Sequence, residues 1–260
     1  MILTKTPQRI SIIIPVLNEV GMIQKILTST QSSTNVEVIV VDGGSIDGTL
    51  EFVQSLGIQV LSAPKGRACQ MNMGATAATG DILLFLHSDT RLPPHFDMMI
   101  RAALNPLQSC RKIPIAGAFA LQIDAPLRSL RLIERGVSLR SHFLQMPYGD
   151  QAIFLKAEIF HQFGGFPKLP IMEDFELIRR LKCRGYIAII PVPVVTSARR
   201  WLKQGVLKTT LINQIVTLGY LLGISPQKLV FWYYHQSQLS LRQLFKSVPK
   251  LISSINFLKQ

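Results

Sequence analysis

The chain has 260 residues, of which 48% are hydrophobic and 17% are charged. This composition excludes a disordered chain, and the length suffices for one large α/β domain with a sizeable core. The net charge of +13 resides in the C-terminal third, because no acidic residue follows Glu176 whereas 13 of the 28 Lys and Arg residues do. No recognised nucleic-acid-binding motif accompanies these cations, which disfavours a nucleic-acid partner.

The basic C-terminal third also contains apolar runs, such as Leu218–Leu222 and Leu229–Tyr234. Cations interleaved with apolar residues are typical of binding to an anionic membrane surface, although helices with a solvated basic face are the alternative. The most apolar long segment, Gly205–Gly223, is interrupted by a lysine and two amides, which favours an interfacial helix over a membrane span. The three cysteines are far apart and form no metal-binding pattern. We therefore expect a cytoplasmic protein, peripheral on the inner face of the cell membrane.

Strands and helices alternate in the first half of the sequence. The predicted elements are strand Ile10–Val16, helix Val20–Thr30, strand Val36–Val41, helix Asp47–Leu56, strand Gln59–Ser62, helix Arg67–Ala78 and strand Asp81–His87. This rhythm predicts an α/β fold with a doubly wound, mostly parallel sheet and helices on both faces. The later predictions are strand Ala116–Ile123, helix Leu127–His142, strand Gln151–Lys156, helix Ile171–Arg184 and a last strand flanked by Pro191 and Pro193. We predict one domain over residues 1–203 and a basic, apolar helical extension over 204–260.

Polar residues follow three of the predicted strands. Asn18 and Glu19 follow the first, Asp42 the second, and His87-Ser88-Asp89 the fourth. In doubly wound sheets, ligands bind outside the carboxyl ends of the strands. The sequence therefore predicts one site at this edge of the sheet.

The segment Asp42-Gly43-Gly44-Ser45 predicts a nucleotide pocket. Asp42 can accept hydrogen bonds from a base or ribose, and Gly44 lets the backbone approach a ligand. Asp47 is interpreted as a local cap for the next helix. The glycine-rich fingerprints of dinucleotide and Walker A sites are absent from the sequence.

Acidic and basic residues further along the chain add chemistry to this pocket. Asp89 leaves a buried strand and is poised to hold Mn²⁺ or Mg²⁺ together with substrate phosphates. An acid of the pair Glu173-Asp174, at the start of a predicted helix, can deprotonate an acceptor hydroxyl. Four further side chains are predicted to contribute to binding. They are two guanidinium groups for a diphosphate, an indole for stacking and a carboxylate before a strand, from Arg199, Arg200, Trp201 and Asp150.

The order of these motifs resembles the family 2 glycosyltransferases of GT-A fold, over roughly residues 9–203. The matching segments are Pro15–Glu19, Asp42–Thr49, His87–Asp89, Glu173-Asp174 and Arg199–Trp201. The segment Lys65–Ala75 is similar to the subgroup of arsenosugar-biosynthesis and diaponeurosporenoate-type glycosyltransferases.

The resemblance implies a role for each matching residue. Pro15 and Glu19 would border the nucleotide, Asp42 would read a uracil-type base, and Arg67 would lie near the base or the phosphates. Asp89 would bind the cation and the diphosphate. Asp174 would be the general base, with Glu173 beside it, and Arg199, Arg200 and Trp201 would lie near the diphosphate and acceptor.

Two positions depart from the family pattern. The usual Asp-x-Asp metal motif has His87 at its first position, where it faces the nucleotide sugar, and Ser197 or Ala198 occupies the glutamine position before Arg199. His87 can add a ligand for a softer cation such as Mn²⁺. The change leaves open which cation is used.

The predicted function is inverting transfer of a hexose from a nucleoside diphosphate sugar, UDP-hexose above all, to a hydroxyl or carboxyl acceptor. The basic, apolar C-terminal third favours a lipophilic acceptor, such as a carotenoid acid or polyisoprenoid. Two alternatives remain open: nucleotidyl transfer, and a non-catalytic nucleotide-sugar or lipid-binding protein of the same fold.

Overall fold

The computed structural model describes residues 7–31, 33–105 and 113–237. The strands in this part of the chain are β1 Ile10–Val16, β2 Val36–Asp42, β3 Gln59–Ser62, β4 Ile82–Phe85, β5 Thr90–Arg91, β6 Pro114–Asp124, β7 Phe154–Lys156 and β8 Tyr186–Ser197. The helices are α1 Val20–Thr30, α2 Thr49–Ser55, α3 Arg67–Ala77, α4 Phe96–Leu104, α5 Arg128–Phe143, α6 Ala157–Gln162, α7 Glu173–Lys182, α8 Arg199–Gln204, α9 Val206–Leu221 and α10 Pro226–Ser237. A short 3₁₀ helix spans Gly149–Gln151.

All eight strands form one sheet in the order β3-β2-β1-β4-β7-β6-β8-β5. The first four are parallel to one another, which confirms the prediction of a doubly wound sheet for the N-terminal half. The second half is mixed, because β7 runs antiparallel to both of its neighbours while β6 and β8 are parallel. The short strand β5 lies at the end of the sheet and pairs antiparallel with β8.

Helices cover both faces of the sheet, as the near-continuous apolar strands predict. In β1, Ile12 and Ile14 point into a core that includes Ile23 of α1. Ile13, between them, points to the other face and packs in a second core with Met71 of α3. This alternation of successive residues explains why β1 is fully buried.

The last strand differs from its prediction. Pro191 and Pro193 lie inside β8 rather than at its ends. The pairing with β6 shifts here, since Ile190 opposes Phe119 but Pro193 already opposes Ala120. The irregularity takes Pro191, which has no N–H to donate, out of the regular ladder, while Pro193 still opposes Ala120.

Gly117 of β6 allows the close packing of the sheet centre. A Cβ atom there would lie 2.3 Å from Cζ of Phe154 and 3.1 Å from the carbonyl oxygen of Ala188. Because the Phe154 ring is fully buried, we expect Gly117→Ala to lower the free energy of unfolding by about 1–3 kcal/mol. Gly136→Ala in α5 is the control, because its Cβ would meet nothing within 4 Å. Equal urea midpoints for the two variants would contradict the packing described.

The helices α9 and α10 pack against the beginning of α7 through a third apolar cluster. Met172 and Phe175 contact the inner side of these helices, which includes Ile212, Leu229 and Trp232. Of the described helices, none is long and apolar enough to cross a bilayer. The predicted extension from residue 204 is helical as far as residue 237, and residues 238–260 lie outside the described part of the chain. The division into two units at residues 203 and 204 stays a prediction.

A polar contact also joins α9 to α7. The Tyr220 hydroxyl donates to Oε2 of Glu176 at 2.9 Å. Hydrogen bonds from Arg179, then from Arg180 and Tyr220, lower the pKa of Glu176 from 4.5 to about 2. Because this pKa is lowered on folding, the ionised carboxylate stabilises the protein above about pH 4.5, and that contribution is lost as the pH falls towards 2.

We therefore expect Tyr220→Phe to destabilise the protein by about 1 kcal/mol at pH 7. The loss should shrink as the pH is lowered towards 2, because protonated Glu176 gains less from the hydroxyl. Urea unfolding across this pH range measures both effects. A loss that is independent of pH would show that Tyr220 acts through packing alone.

Candidate active site

The loop after β2 is organised by its own aspartate. Asp42 is buried, and its carboxylate accepts hydrogen bonds from the backbone N–H groups of Gly44 at 2.9 Å and Ser45 at 3.1 Å. Gly44 has a φ of 94°, a conformation that favours glycine. The structure therefore shows Asp42 shaping the loop, while its predicted contact with a base stays a prediction.

A second set of bonds ties this loop to the end of β1. Asn18 has a φ of 56°, and its side-chain oxygen accepts a hydrogen bond from the N–H of Ile46 at 2.9 Å. The Asn18 N–H in turn donates to Ser45 Oγ. The Asp47 carboxylate accepts from the N–H groups of Val20 and Thr49, in keeping with its interpretation as a local turn residue.

A cleft of about 550 Å³ opens at the carboxyl ends of the strands, where the sequence predicts a site. We call it the first pocket. The predicted site residues in its walls are Pro15, Glu19, Arg67, His87, Ser88, Asp89, Arg199 and Arg200. Asn18, Asp42 and Gly44 are not among the described wall residues, and they belong to the two hydrogen-bonded loops that follow β1 and β2.

Glu19 and Arg199 form an ion pair beside this pocket. The Arg199 guanidinium contacts both carboxylate oxygens of Glu19, with one nitrogen–oxygen distance of 2.7 Å. Arg199 Nη2 also lies 3.8 Å from Oδ2 of Asp89. Glu19 is predicted to border the nucleotide and Arg199 to lie near the diphosphate, and in this structure the two side chains bind each other.

A second pocket of about 240 Å³ adjoins the first. Arg67, His87, Asp89 and Arg200 line both pockets and mark their junction. The remaining predicted residues of the second pocket are Asp150, Asp174 and Trp201. The structure thus brings the proposed cation ligand and the proposed base to one connected space.

The Asp174 carboxylate is held in place by backbone donors. The N–H of Gly149 donates to Oδ2 at 2.6 Å, and the N–H of Phe175 donates to Oδ1 at 2.7 Å. A Cβ atom on Gly149 would lie 2.7 Å from Nε2 of His87 and 3.0 Å from Oδ2 of Asp174. Gly149 therefore permits the close approach of His87 and Asp174 to this part of the backbone, a role that the sequence alone does not indicate.

Glu173 has a different position from its neighbour. It is buried, and its Oε1 lies 2.9 Å from Nε of Arg67. Burial raises the pKa of Glu173. Glu173 is not among the described residues that line the two pockets, and its contact is with Arg67. Its predicted role beside Asp174 in catalysis stays a prediction.

Burial also shifts the protonation of two pocket residues. It lowers the pKa of His87 to about 4, with a further contribution from Arg67, so that the imidazole is neutral at pH 7. A neutral imidazole can accept a hydrogen bond or bind a cation. Burial raises the pKa of Asp150 to about 6.

Several wall residues were not predicted from the sequence. Tyr233 of α10 lines both pockets, and the Arg200 guanidinium carbon lies 4.5 Å from the centre of its ring. Tyr148, Asn213 and Thr217 complete the second pocket. The sequence does contain the apolar run Leu229–Tyr234, but its composition favours membrane contact and does not indicate a pocket.

A divalent cation fits this site only with help from its substrate. No group of three or more His, Cys, Asp or Glu side chains in the described ranges is arranged to hold a metal ion. Asp89 offers one carboxylate to the cleft, with neutral His87 nearby. One carboxylate completed by phosphate oxygens and water is a common way to bind Mg²⁺, so the residues fit a substrate-assisted site.

Residues 11–123 match the family model described as Glycosyl transferase family 2. These residues, which make up less than half of the chain, are similar to a glycosyltransferase family 2 domain. This confirms the family resemblance found in the sequence, and the matched segment includes β1 from Ser11 onwards, the Asp42 loop and Asp89.

Two curated relatives share part of this domain. Glycosyltransferase AglE of Haloferax volcanii is 38% identical over 98 residues, which is 34% of this chain and 32% of the relative. The 4,4'-diaponeurosporenoate glycosyltransferase of Staphylococcus haemolyticus is 35% identical over 97 residues, which is 34% of this chain and 26% of the relative. The match thus spans about a third or less of either relative.

A solved structure resembles a larger share of the chain. The mannosyltransferase PcManGT from Pyrobaculum calidifontis, in complex with GDP-Man and Mn²⁺, aligns with a TM-score of 0.57 at 17% identity. The alignment covers 97% of this chain and 76% of that one. At this identity the likeness establishes the fold, which is the GT-A fold of glycosyltransferases.

Proposed function

We propose that the protein transfers a hexose from a nucleoside diphosphate sugar to an acceptor hydroxyl or carboxyl group, with inversion. The observation that carries this proposal is the pair of joined pockets, with Asp89 at their junction and Asp174 in the second. Inverting transfer needs a leaving group and an attacking group on opposite sides of the sugar. Two adjoining spaces, with an acid in the second and cations at the junction, meet that need.

The first pocket is the proposed donor site. Its cations are Lys65, Arg67, Arg199 and Arg200, and they complement a diphosphate. Arg199 is paired with Glu19, so the diphosphate would draw it away from that carboxylate. Arg200 lies over the Tyr233 ring, which supports its guanidinium beside both pockets. The GDP-Man complex of the structural neighbour supports a donor of this class, and UDP-hexose remains our expectation from the family pattern.

Asp89 is the proposed ligand of Mn²⁺ or Mg²⁺, together with the donor's phosphate oxygens. When bound, the cation would neutralise charge on the diphosphate leaving group. The protein itself would hold the departing diphosphate with Arg200 and Arg67, the latter fixed by Glu173. Preorganised charges of this kind supply much of the rate in group transfer.

The second pocket is the proposed acceptor site. Its volume of about 240 Å³ lies below the usual range of about 300–1,000 Å³ for drug-sized ligands. We infer that only the hydroxyl- or carboxyl-bearing end of a lipophilic acceptor, such as a carotenoid acid or polyisoprenoid, would enter it. There Asp174 would accept the proton of the attacking group.

A screen of UDP- and GDP-hexoses for thermal stabilisation, with and without Mn²⁺, tests the donor proposal. A matching donor at 100 times its dissociation constant stabilises the folded state by about 2.7 kcal/mol. We expect Mn²⁺-dependent stabilisation by one nucleotide class, and a smaller effect with Asp89→Ala. The absence of stabilisation by every nucleotide sugar would overturn the proposal. Stabilisation without nucleoside diphosphate release would favour the non-catalytic alternative, which the histidine at position 87 keeps open.

A further inference from the structure

The outer face of α5 carries an apolar stripe that has no partner in the described part of the chain. Leu132, Leu139 and Phe143 are 65%, 59% and 80% exposed, and Leu144 just after the helix is 57% exposed. The three helical residues follow the spacing i, i+7, i+11, which places them along one side of the helix. The opposite side packs into the main core through Leu130. We call the four exposed residues the α5 stripe.

Cations flank this stripe without any exposed acid of the same helix. Arg128 and Arg135 are exposed and lie seven residues apart, so they run beside the leucines. Glu134 is the one acid of α5, and it turns inward to accept a hydrogen bond from the Ile123 N–H and to pair with Arg131. The exposed face of the helix is therefore both apolar and basic.

The end of α5 lies beside α9, which also presents leucines to solvent. The Arg140 guanidinium carbon lies 3.4 Å from the centre of the Tyr148 ring, and the Tyr148 hydroxyl lies 3.3 Å from Oγ1 of Thr217. On α9, Leu218 and Leu221 follow Thr217 within about one turn and are 58% and 60% exposed. Two neighbouring helices thus expose apolar residues.

We propose that the exposed face of α5 is a docking surface for an anionic lipid bilayer. Apolar side chains at the acyl boundary and arginines among anionic headgroups are the arrangement of an interfacial helix. A second copy of the chain fits this face less well. A two-fold contact through the stripe would bring the arginines of both copies together, and the face offers no acid to neutralise them.

The proposal goes beyond sugar transfer and does not depend on it. It also moves the predicted membrane contact, which the sequence placed in the C-terminal third, to a helix within residues 1–203. Tyr148 lies between the second pocket and the docking surface, because it lines that pocket and packs against Arg140 of α5. A protein docked through α5 would hold the second pocket close to the membrane surface.

Co-sedimentation of the full chain with lipid vesicles tests this surface. We expect binding to vesicles of phosphatidylcholine mixed with phosphatidylglycerol, and much less binding to phosphatidylcholine alone. The double variant Leu139→Glu, Phe143→Glu should weaken partition at least about tenfold, because it removes two inserting side chains and adds charge. Met98→Glu is the matched control, since Met98 on α4 is 64% exposed. The control should bind as the wild type does.

A second pair of variants tests the charge. Arg128→Gln with Arg135→Gln should weaken binding to the anionic vesicles by about fivefold for each cation. Lys25→Gln with Lys182→Gln removes two exposed cations elsewhere and should have a smaller effect.

Some results would overturn the proposal. Unchanged vesicle binding in the stripe variant would assign the membrane contact elsewhere. Equal losses in the Met98→Glu control would show a general effect of charge. If light scattering shows that the stripe variant converts a dimer to a monomer while vesicle binding stays the same, the face is a self-association surface instead. Urea unfolding of each variant excludes misfolding as the cause, because the replaced side chains are exposed.

Discussion

Asp174→Asn is expected to slow the release of nucleoside diphosphate by about 10²–10⁴-fold while donor binding stays close to that of the wild type. Asparagine has almost the same shape as aspartate but cannot accept a proton from the attacking group. Because Asp174 lines the second pocket and not the first, its replacement leaves the donor walls intact. Turnover is measured as nucleoside diphosphate released, and donor affinity by the thermal shift at a series of donor concentrations.

The structure supplies two checks on this result. Asp174 also accepts backbone hydrogen bonds from Gly149 and Phe175, so the variant's urea unfolding must be compared with that of the wild type. Asp124→Asn is the matched control, because Asp124 is an exposed acid that pairs with Arg91 and lines neither pocket among the described residues. Wild-type turnover in Asp174→Asn would rule out its role as the base.

Asp89→Ala is expected to remove most of the dependence of donor binding and turnover on Mn²⁺ or Mg²⁺. Since no group of three or more His, Cys, Asp or Glu side chains in the described ranges is arranged to hold a metal ion, we expect the Asp89 carboxylate to be the protein's main contact with the cation. Loss of an interaction with the leaving group of this kind costs at least about 10²-fold in rate. A titration of turnover against cation concentration, in wild type and variant, measures the effect.

Replacing the neighbouring His87 tests the same cation site through its preference between Mn²⁺ and Mg²⁺. If His87 contributes to cation binding, His87→Asp should change the preference between Mn²⁺ and Mg²⁺, because a carboxylate is the harder ligand. An Asp89→Ala enzyme with unchanged cation dependence would contradict the proposed cation site. It would leave the donor pocket itself unaffected, because the arginines of the first pocket remain.

The edge of the sheet at which the site forms follows directly from the sequence. The parallel strands β1, β2 and β4 must end on the same side, and the polar residues after them therefore meet there. For this reason Glu19 and Asp89 reach the first pocket as expected. Local patterns also predict α1 and β3 at their observed bounds, since each is bordered by residues that end regular structure.

What the sequence does not reveal depends on contacts between distant segments. Glu173 and Asp174 are adjacent in the chain, yet only Asp174 lines a pocket, because the buried Glu173 binds Arg67 of α3. Tyr233 reaches the pockets only because α10 folds back over α7, a consequence of long-range apolar packing. For a similar reason, the sequence does not show that the α5 stripe is exposed. Its periodicity predicts an amphipathic helix, but not which apolar residues remain uncovered.

The most direct test of sugar transfer is the release of nucleoside diphosphate from UDP- and GDP-hexoses by the purified full chain, with Mn²⁺ and with Asp174→Asn as the comparison. Water can serve as a slow acceptor, so the assay does not require the natural one. We predict release from one nucleotide class, dependent on the cation and nearly abolished in the variant. No release from any donor that binds, or equal release by the variant, would contradict a glycosyltransferase that works through Asp89 and Asp174.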